Sequence, residues 1–344
     1  MRVYAVTLTP LSPFGTPLKG DTLFGQFCWQ CALNKTLVSQ GLEYWIERYQ
    51  EQPFAVFSSA WPHLTGPDGT DRYCLPRPAL PISPPADMPR TERLVKKKQT
   101  KGERWLFVDA SDLRIDLMRC QTKNDAQLFN CLCDTLPEEL RWEFDTLPET
   151  VKKPVVRAEQ AHNSINRLTA TTGQGFDPFT LETLHFAPGI RLVVFVGVHE
   201  AALTVDQLTK GLTEIGKAGF GRDASSGLGR FAVAEPIEIN WSACASSQDC
   251  YTLAPCIPPE AGFSEIFAKP FTRFGKHGSL LALSNNPFKN PVVMADEGAV
   301  FVPETGMPPQ QPYIGRAATN LSRVEPHTVA QGYSLYLPLT GRTI

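Results

Sequence analysis

Residues 219–231 read Gly-Phe-Gly-Arg-Asp-Ala-Ser-Ser-Gly-Leu-Gly-Arg-Phe, with four glycines and two serines around two arginines. Glycine permits positive φ and close approach of another backbone. Free N–H groups, hydroxyls and guanidinium groups together suit phosphate oxygens. The chemistry of Gly219, Gly221, Arg222, Ser225, Ser226, Gly227, Gly229 and Arg230 is therefore anion binding, or the seating of another chain. No Gly-Lys-Ser/Thr opens a helix, so this is not a Walker loop. Gly219, Gly221 and Ala224 match the dinucleotide spacing, but that motif follows a strand and opens a helix. Here the order is reversed. Residues 204–207 (Thr-Val-Asp-Gln) have capping-box form, and Val205, Leu208, Leu212 and Ile215 recur at helical spacing. Gly219 stands where that helix ends, and Arg230 to Ile239 reads as a strand.

A second polar run, Glu159 to Thr169, contains His162, Asn163, Arg167 and Thr169 with little to fill a core. Histidine is the acid and base of metal-free ribonucleases. The same donors hold RNA phosphates and base edges without cleavage, and both readings stand. Lys19 lies just before a helix for which Asp21 is the expected cap, with Leu23, Phe24, Phe27, Cys28 and Cys31 as its apolar stripe. A helix start offers free N–H groups and a partial positive charge to phosphate, unless Asp21 already satisfies them. Arg90, Arg93, Lys96, Lys97, Lys98, Lys101 and Arg104 form a basic run with only Glu92 and Glu103 as acids. It reads either as a solvated loop or as an RNA contact.

Other chemistry finds little support. Cys28 and Cys31 lack a second Cys/His pair for zinc, and buried thiols are the expectation. His199-Glu200 has Leu203 where a zinc-protease helix needs histidine, and no Gly-x-Ser-x-Gly occurs. Asp109, Asp112 and Asp116 could hold magnesium or form a solvated edge. We expect neither a metal nor a cofactor.

The chain has 344 residues, 42% of them hydrophobic, which allows two domains with real cores. A net charge of −2 gives no global case for nucleic-acid binding, so any such site is local or shared within an assembly. Nine irregularly spaced cysteines point to reduced thiols in a cytoplasm. No signal-like or membrane-length apolar run is present. Strands are expected at residues 2–9, Phe54 to Trp61, Trp105 to Met118 (two short ones), Val155 to Ile165, Ile190 to Val198 and Thr328 to Leu339. Ala126 to Phe144 reads as helical with a break at Pro137, and residues 62–104 as loop. Each half offers a strand, a helix and further strands. The expectation is an α+β chain of two ferredoxin-like units with antiparallel sheets, 1–150 and 151–344, the glycine-rich loop 219–230 lying in the second.

Four stretches resemble one family. Residues 10–25 (Pro-Leu-Ser-Pro-Phe-Gly-Thr-Pro-Leu-Lys-Gly-Asp-Thr-Leu-Phe-Gly) resemble its N-terminal motif, and residues 162–169 (His-Asn-Ser-Ile-Asn-Arg-Leu-Thr) its central motif. The glycine-rich loop resembles its third, and Gln331-Gly332-Tyr333 with Leu337-Pro338 its C-terminal end. The family is the RAMP superfamily of CRISPR systems, and within it the fourth-subunit group of type III-A Csm effector complexes. The resemblance implies two RRM-related domains and a non-catalytic subunit of an antiviral ribonucleoprotein that grips the 5′ handle of the crRNA. Its partners would be the large polymerase/cyclase subunit and a backbone RAMP subunit. RNA contacts would come from Lys19, Arg157, His162, Asn163, Arg167, Thr169, Phe176 and the glycine-rich loop. Residues 170–186 resemble a thumb hairpin beside the target RNA, where Phe176 and Phe179 either wedge between bases or simply pack. Ala170 departs from the glycine common there. Some relatives are metal-independent endoribonucleases, so a crRNA-processing enzyme using His162 is the alternative, and a handle-binding subunit of a related type III or type I complex is a third reading.

Overall fold

The computed structural model describes residues 1–66, 69–82, 88–173, 175–241, 249–306 and 308–342. The first part of the chain runs through β1 (Arg2–Pro10), α1 (Gly20–Leu33), α2 (Leu42–Glu47), β2 (Ala55–Phe57), β3 (Trp61–Thr65), β4 (Asp71–Pro76), α3 (Arg90–Gly102) and β5 (Trp105–Asp109). It continues with β6 (Ile115–Asp116), β7 (Thr122–Lys123), α4 (Asp125–Cys133), α5 (Glu138–Asp145), β8 (Val155–His162), β9 (Phe179–Phe186), β10 (Arg191–Val198) and α6 (Val205–Ala218). Then follow β11 (Phe231–Val233), β12 (Ile237–Ile239), β13 (Asp249–Thr252), β14 (Phe263–Phe267), β15 (Pro270–Arg273), β16 (Val292–Ala295), β17 (Val300–Pro303), β18 (Tyr313–Gly315) and β19 (Tyr333–Thr340).

The larger sheet has the order β11-β1-β10-β3-β4-β5-β7, with β12 also on β1 and β2 also on β10, all antiparallel. Helix α1 packs on β2 and α6 on β11, and the two helices touch where Phe27 of α1 closes on Gly211 of α6. β10 is one apolar run, Leu192 to Val196, buried throughout. Such a run belongs to a strand covered on both faces. Gly197 shows part of the second cover, because a Cβ there would meet Leu335 of β19 at 3.2 Å.

The second sheet has the order β14-β17-β13-β19-β18, and β6 adds to β19 in parallel. These pairings correct two expectations. β1 takes β10, β11 and β12 as neighbours, so the first sheet crosses the boundary placed near residue 150. The glycine-rich loop, between α6 and β11, consequently belongs with the N-terminal strand. Among the described residues from 249 onward only short 3₁₀ turns are helical, so the second sheet lacks the helices expected of it. Residues 62–104, expected as loop, contain β3, β4 and α3. Pro62 and Pro76 masked the strands by lacking a donor.

A buried polar cluster joins the two layers at the start of α1. Lys19 Nζ binds Asp296 Oδ1 at 2.6 Å and also the Glu297 carboxylate. Ser59 Oγ donates to Glu297 Oε1 at 2.8 Å and accepts from the Gly20 amide. Asp21 is not the helix cap. Its carboxylate, 6% exposed, receives Nε and Nη2 of Arg273 at 2.5 and 2.8 Å. Both cations lie over the Phe271 ring. Gln331, wholly buried, accepts from the Phe57 amide at 2.8 Å and donates to the carbonyls of Phe57 and Tyr333. Buried polar groups hold their geometry because an unpaired one is costly.

The glycine-rich loop is equally constrained. Gly229 has φ +74°, and a Cβ there would lie 2.2 Å from the Phe220 carbonyl oxygen. The Phe220 amide in turn donates to the Gly229 carbonyl at 2.9 Å, and the Phe220 ring is fully buried. Gly227 has φ +92° with open space around it.

Two measurements follow. In urea unfolding, Gly227→Ala is expected to cost about 1 kcal/mol, for φ alone. Gly229→Ala should cost roughly 3 kcal/mol or more, because a backbone clash adds to the φ penalty. Equal losses would contradict the packing described. Burial, then hydrogen bonding with Asp296, pushes the Glu297 carboxyl up to about 7, with Lys19 opposing. Burial works against Asp296 too, yet hydrogen bonds with Glu297 and Lys19 hold it below its ordinary value. A raised folded-state pKa stabilises the fold below the unfolded value and loses that contribution as pH climbs through the folded value. Between about pH 5 and about pH 8 the stability difference should therefore shift steadily in favour of Glu297→Gln over the parent. A difference that does not change with pH would show that Glu297 does not titrate there.

Candidate nucleic-acid interface

β8 and β9 form a separate two-stranded ribbon, in register from Val155↔Phe186 to His162↔Phe179. An isolated hairpin is marginal in water, so this one depends on what holds its base. Phe14 and Leu184 exchange both main-chain hydrogen bonds, at 2.9 and 2.8 Å. The Phe14 ring is fully buried and meets Phe186 edge-on at 5.3 Å. Arg222 Nη2 donates to the Glu182 carbonyl at 2.6 Å, while its amide donates to Thr16 Oγ1 at 2.9 Å. The Arg230 amide donates to Ser12 Oγ, the Leu11 amide to the Arg230 carbonyl, and the Gly229 amide to the Pro13 carbonyl. Three segments thus share one surface: residues 11–16, the glycine-rich loop and the hairpin base. Beside them runs a groove of about 250 Å³, between Thr9–Pro13 and His185–Ile190.

The charges on this surface are exposed. Arg157 Nη1 binds Glu182 Oε1 at 2.5 Å, and Glu182 faces Glu159 across the ribbon. Arg222 Nε pairs with Asp223 at 3.1 Å. The Arg157–Glu182 pair is exposed on both sides and of the kind that contributes little, whereas Asp223 is half-buried. Arg230 is exposed, with no side-chain partner among the described residues. Ser225 and Ser226 are exposed on a 3₁₀ turn at the outer edge of the loop.

The sequence motif centred on His162 lies at the other end of the hairpin. His162 pairs with Phe179 three positions beyond Glu159↔Glu182, about 10 Å along the ribbon. The two rings stack with centroids 5.5 Å apart and an interplanar angle of 14°. Asn163, Arg167 and Thr169 are exposed at the tip, and Phe176 is half-buried. Asn166 shapes the tip, accepting from the Leu168 amide on Oδ1 and from the Ala170 amide on its carbonyl. Ala170 takes φ +53°, the conformation that explains why glycine is the easier residue there. The hairpin spans 155–186, so residues 170–186 supply only part of its tip and its second strand.

Lys19 does not join this site. Its charge is held by Asp296 and Glu297, and the first amide of its helix by Ser59. The structure adds residues the sequence reading did not single out. Ile165 and Leu168 are 60% and 96% exposed at the hairpin tip. Ser12 and Thr16 clamp the glycine-rich loop from the N-terminal segment. The hint for Ile165 and Leu168 was two aliphatic residues inside an otherwise polar run.

The alternative chemistries are otherwise engaged. Asp112 is bidentate to Arg114, which holds its carboxyl below the ordinary range, while Asp109 pairs with Arg72 and Asp116 with Arg119. Burial pushes the Cys31 thiol up to about 12 and raises Cys28 as well. Thiols so shifted are poor nucleophiles and poor ligands.

No family model matches the chain, and no curated protein matches it. Solved structures do. One is a chain of the Csm3–Csm4 subcomplex in the type III-A CRISPR-Cas interference complex, with a TM-score of 0.54 at 14% identity over 98% of this chain and 100% of that one. Another is a chain of a Csm1–Csm4 cassette in complex with cA4, with a TM-score of 0.50 at 15% identity over 98% of this chain and 97% of that one. At such identity the likeness is one of fold: over nearly its whole length this chain is built as a subunit of a type III-A CRISPR effector is built.

Proposed function

We propose that this chain is a non-catalytic RNA-binding subunit of an RNA-guided effector, holding the 5′ handle of a crRNA. The single observation that carries the reading is the convergence of Arg157, Arg222 and Arg230 with residues 11–16 at the hairpin base. Guanidinium groups take phosphate oxygens in pairs. The surrounding turns approach a strand closely because they carry glycine. The order β11-β1-β10-β3, with α1 and α6 as crossovers, is the 4-1-3-2 order of a ferredoxin-like unit, which supports the RAMP reading.

His162 and Phe179 then serve as a stacking platform for a splayed base, a contact worth roughly 1–3 kcal/mol. His162 faces Phe179, not a second titratable group, which favours holding a base over moving a proton. The exposed Ile165 and Leu168, with Phe176, suit the thumb role at the edge of guide–target pairing. The large polymerase/cyclase subunit and a backbone RAMP subunit are the neighbours this reading assigns, in keeping with matched structures whose contents are Csm1–Csm4 and Csm3–Csm4.

Titrating handle-bearing RNA against salt tests the reading. Arg167→Ala and Arg230→Ala should each weaken binding and lower the salt slope by about 0.7. Lys19→Ala should lower stability and leave that slope unchanged. Slopes that respond to Lys19 and ignore both arginines would move the site to the start of α1. Incubating the protein with repeat RNA in a chelator should leave the RNA whole. Cleavage that disappears in His162→Ala would make the chain a processing nuclease instead.

A further inference from the structure

Helix α3 is a strongly basic element that the handle site does not use. It carries Arg90, Arg93, Lys96, Lys97, Lys98 and Lys101, with Glu92 as its single acid. All its residues except Thr100 are exposed, and none of the six cations has a side-chain partner among the described residues. Its attachment is at the C-terminal end. Arg77 Nη1 donates to the Thr100 carbonyl at 2.6 Å, the Arg77 amide donates to the Arg104 carbonyl, and Glu103 accepts from Thr122. The rest of the helix stands away from the core.

At helical spacing Arg93, Lys97 and Lys101 follow one line, about 6 Å apart along the axis, with Arg90 beside them. Like charges at i and i+4 repel, and this helix buries nothing that offsets the repulsion. Evenly spaced anions would relieve it, and a nucleic-acid backbone supplies them in that form. A lipid surface fits less well. Leu94 and Val95 are its only large apolar residues, 61% and 58% exposed, and it has no aromatic residue to enter a bilayer interface.

We propose that α3 is a rail for single-stranded RNA, contacting phosphates without reading sequence, and separate from the hairpin-base site. It needs no handle sequence and stands without the handle assignment. The test uses the full chain and a fluorescent oligouridylate of about 20 nucleotides, long enough to span the row at the helical rise. Arg93→Gln, Lys97→Gln and Lys101→Gln are combined, since glutamine keeps helix propensity. Affinity at low salt should fall about tenfold or more, and the salt slope by about 2, at roughly 0.7 per lost contact. A control combining Lys35→Gln, Lys210→Gln and Lys217→Gln has the same net charge and should change neither value appreciably. The proposal is overturned if wild type does not bind oligouridylate, or if the α3 variant and the control bind alike. It is also overturned if the α3 variant loses binding to phosphatidylserine vesicles while keeping oligouridylate. Handle-bearing RNA with the Arg167 and Arg230 variants tests the other site, so the two claims fail separately.

Discussion

The pair of main-chain hydrogen bonds between Phe14 and Leu184 is the constraint on which the candidate site depends. It sews a marginal two-stranded ribbon to the N-terminal segment, whose own position is fixed because β1 lies between β10 and β11. Phe14 anchors the seam from below, fully buried against Phe186, Phe220 and Phe231. Each ring comes from a different stretch of chain, so the glycine-rich loop, the hairpin base and β11 settle around one aromatic centre. Edge-to-face and offset contacts of this type contribute beyond the area they bury.

Above that apolar anchor the polar layer is arranged loosely. Arg157 and Arg222 both reach Glu182, one at its carboxylate and the other at its carbonyl. These bonds orient the guanidinium groups while leaving them exposed. In the proposed reading, an incoming phosphate would compete with the exposed Glu182 carboxylate for Arg157. The contrast with the cluster at Lys19 and Asp21 is instructive. There the partners are largely buried, the pairing is structural, and the positive charge is not available to a ligand.

Much of the local architecture was legible in the sequence. Helix α6 was bounded by the Thr204–Gln207 capping box and by Gly219, and both signals are realised. The break at Pro137 separates α4 from α5 as expected. The pairing of strands was not legible. Alternation at Tyr4, Val6 and Leu8 marks one buried face of β1, but neither the burial of Val3 and Ala5 on the other face nor the flanking by β10 and β11. The ion pair of Lys19 was not legible for a related reason, since its partner Asp296 lies 277 residues away. Helix α3 escaped notice because helices are recognised by an apolar stripe, and Leu94 and Val95 do not make one. The resemblance read from sequence rested on motifs of glycine, proline and polar residues, and of these Gly219, Gly221, Gly227 and Gly229 stand at positive φ, where backbone geometry restricts the choice of residue.

The account's central claim is that a single strand of RNA lies across the junction of residues 11–16, the glycine-rich loop and the hairpin base. Amide hydrogen exchange with and without handle-bearing RNA measures this directly. Exchange should slow in residues 11–16, 157–163 and 219–230, with little change in β13 to β19. Unchanged exchange across those three segments, or protection confined to the second sheet, would contradict it.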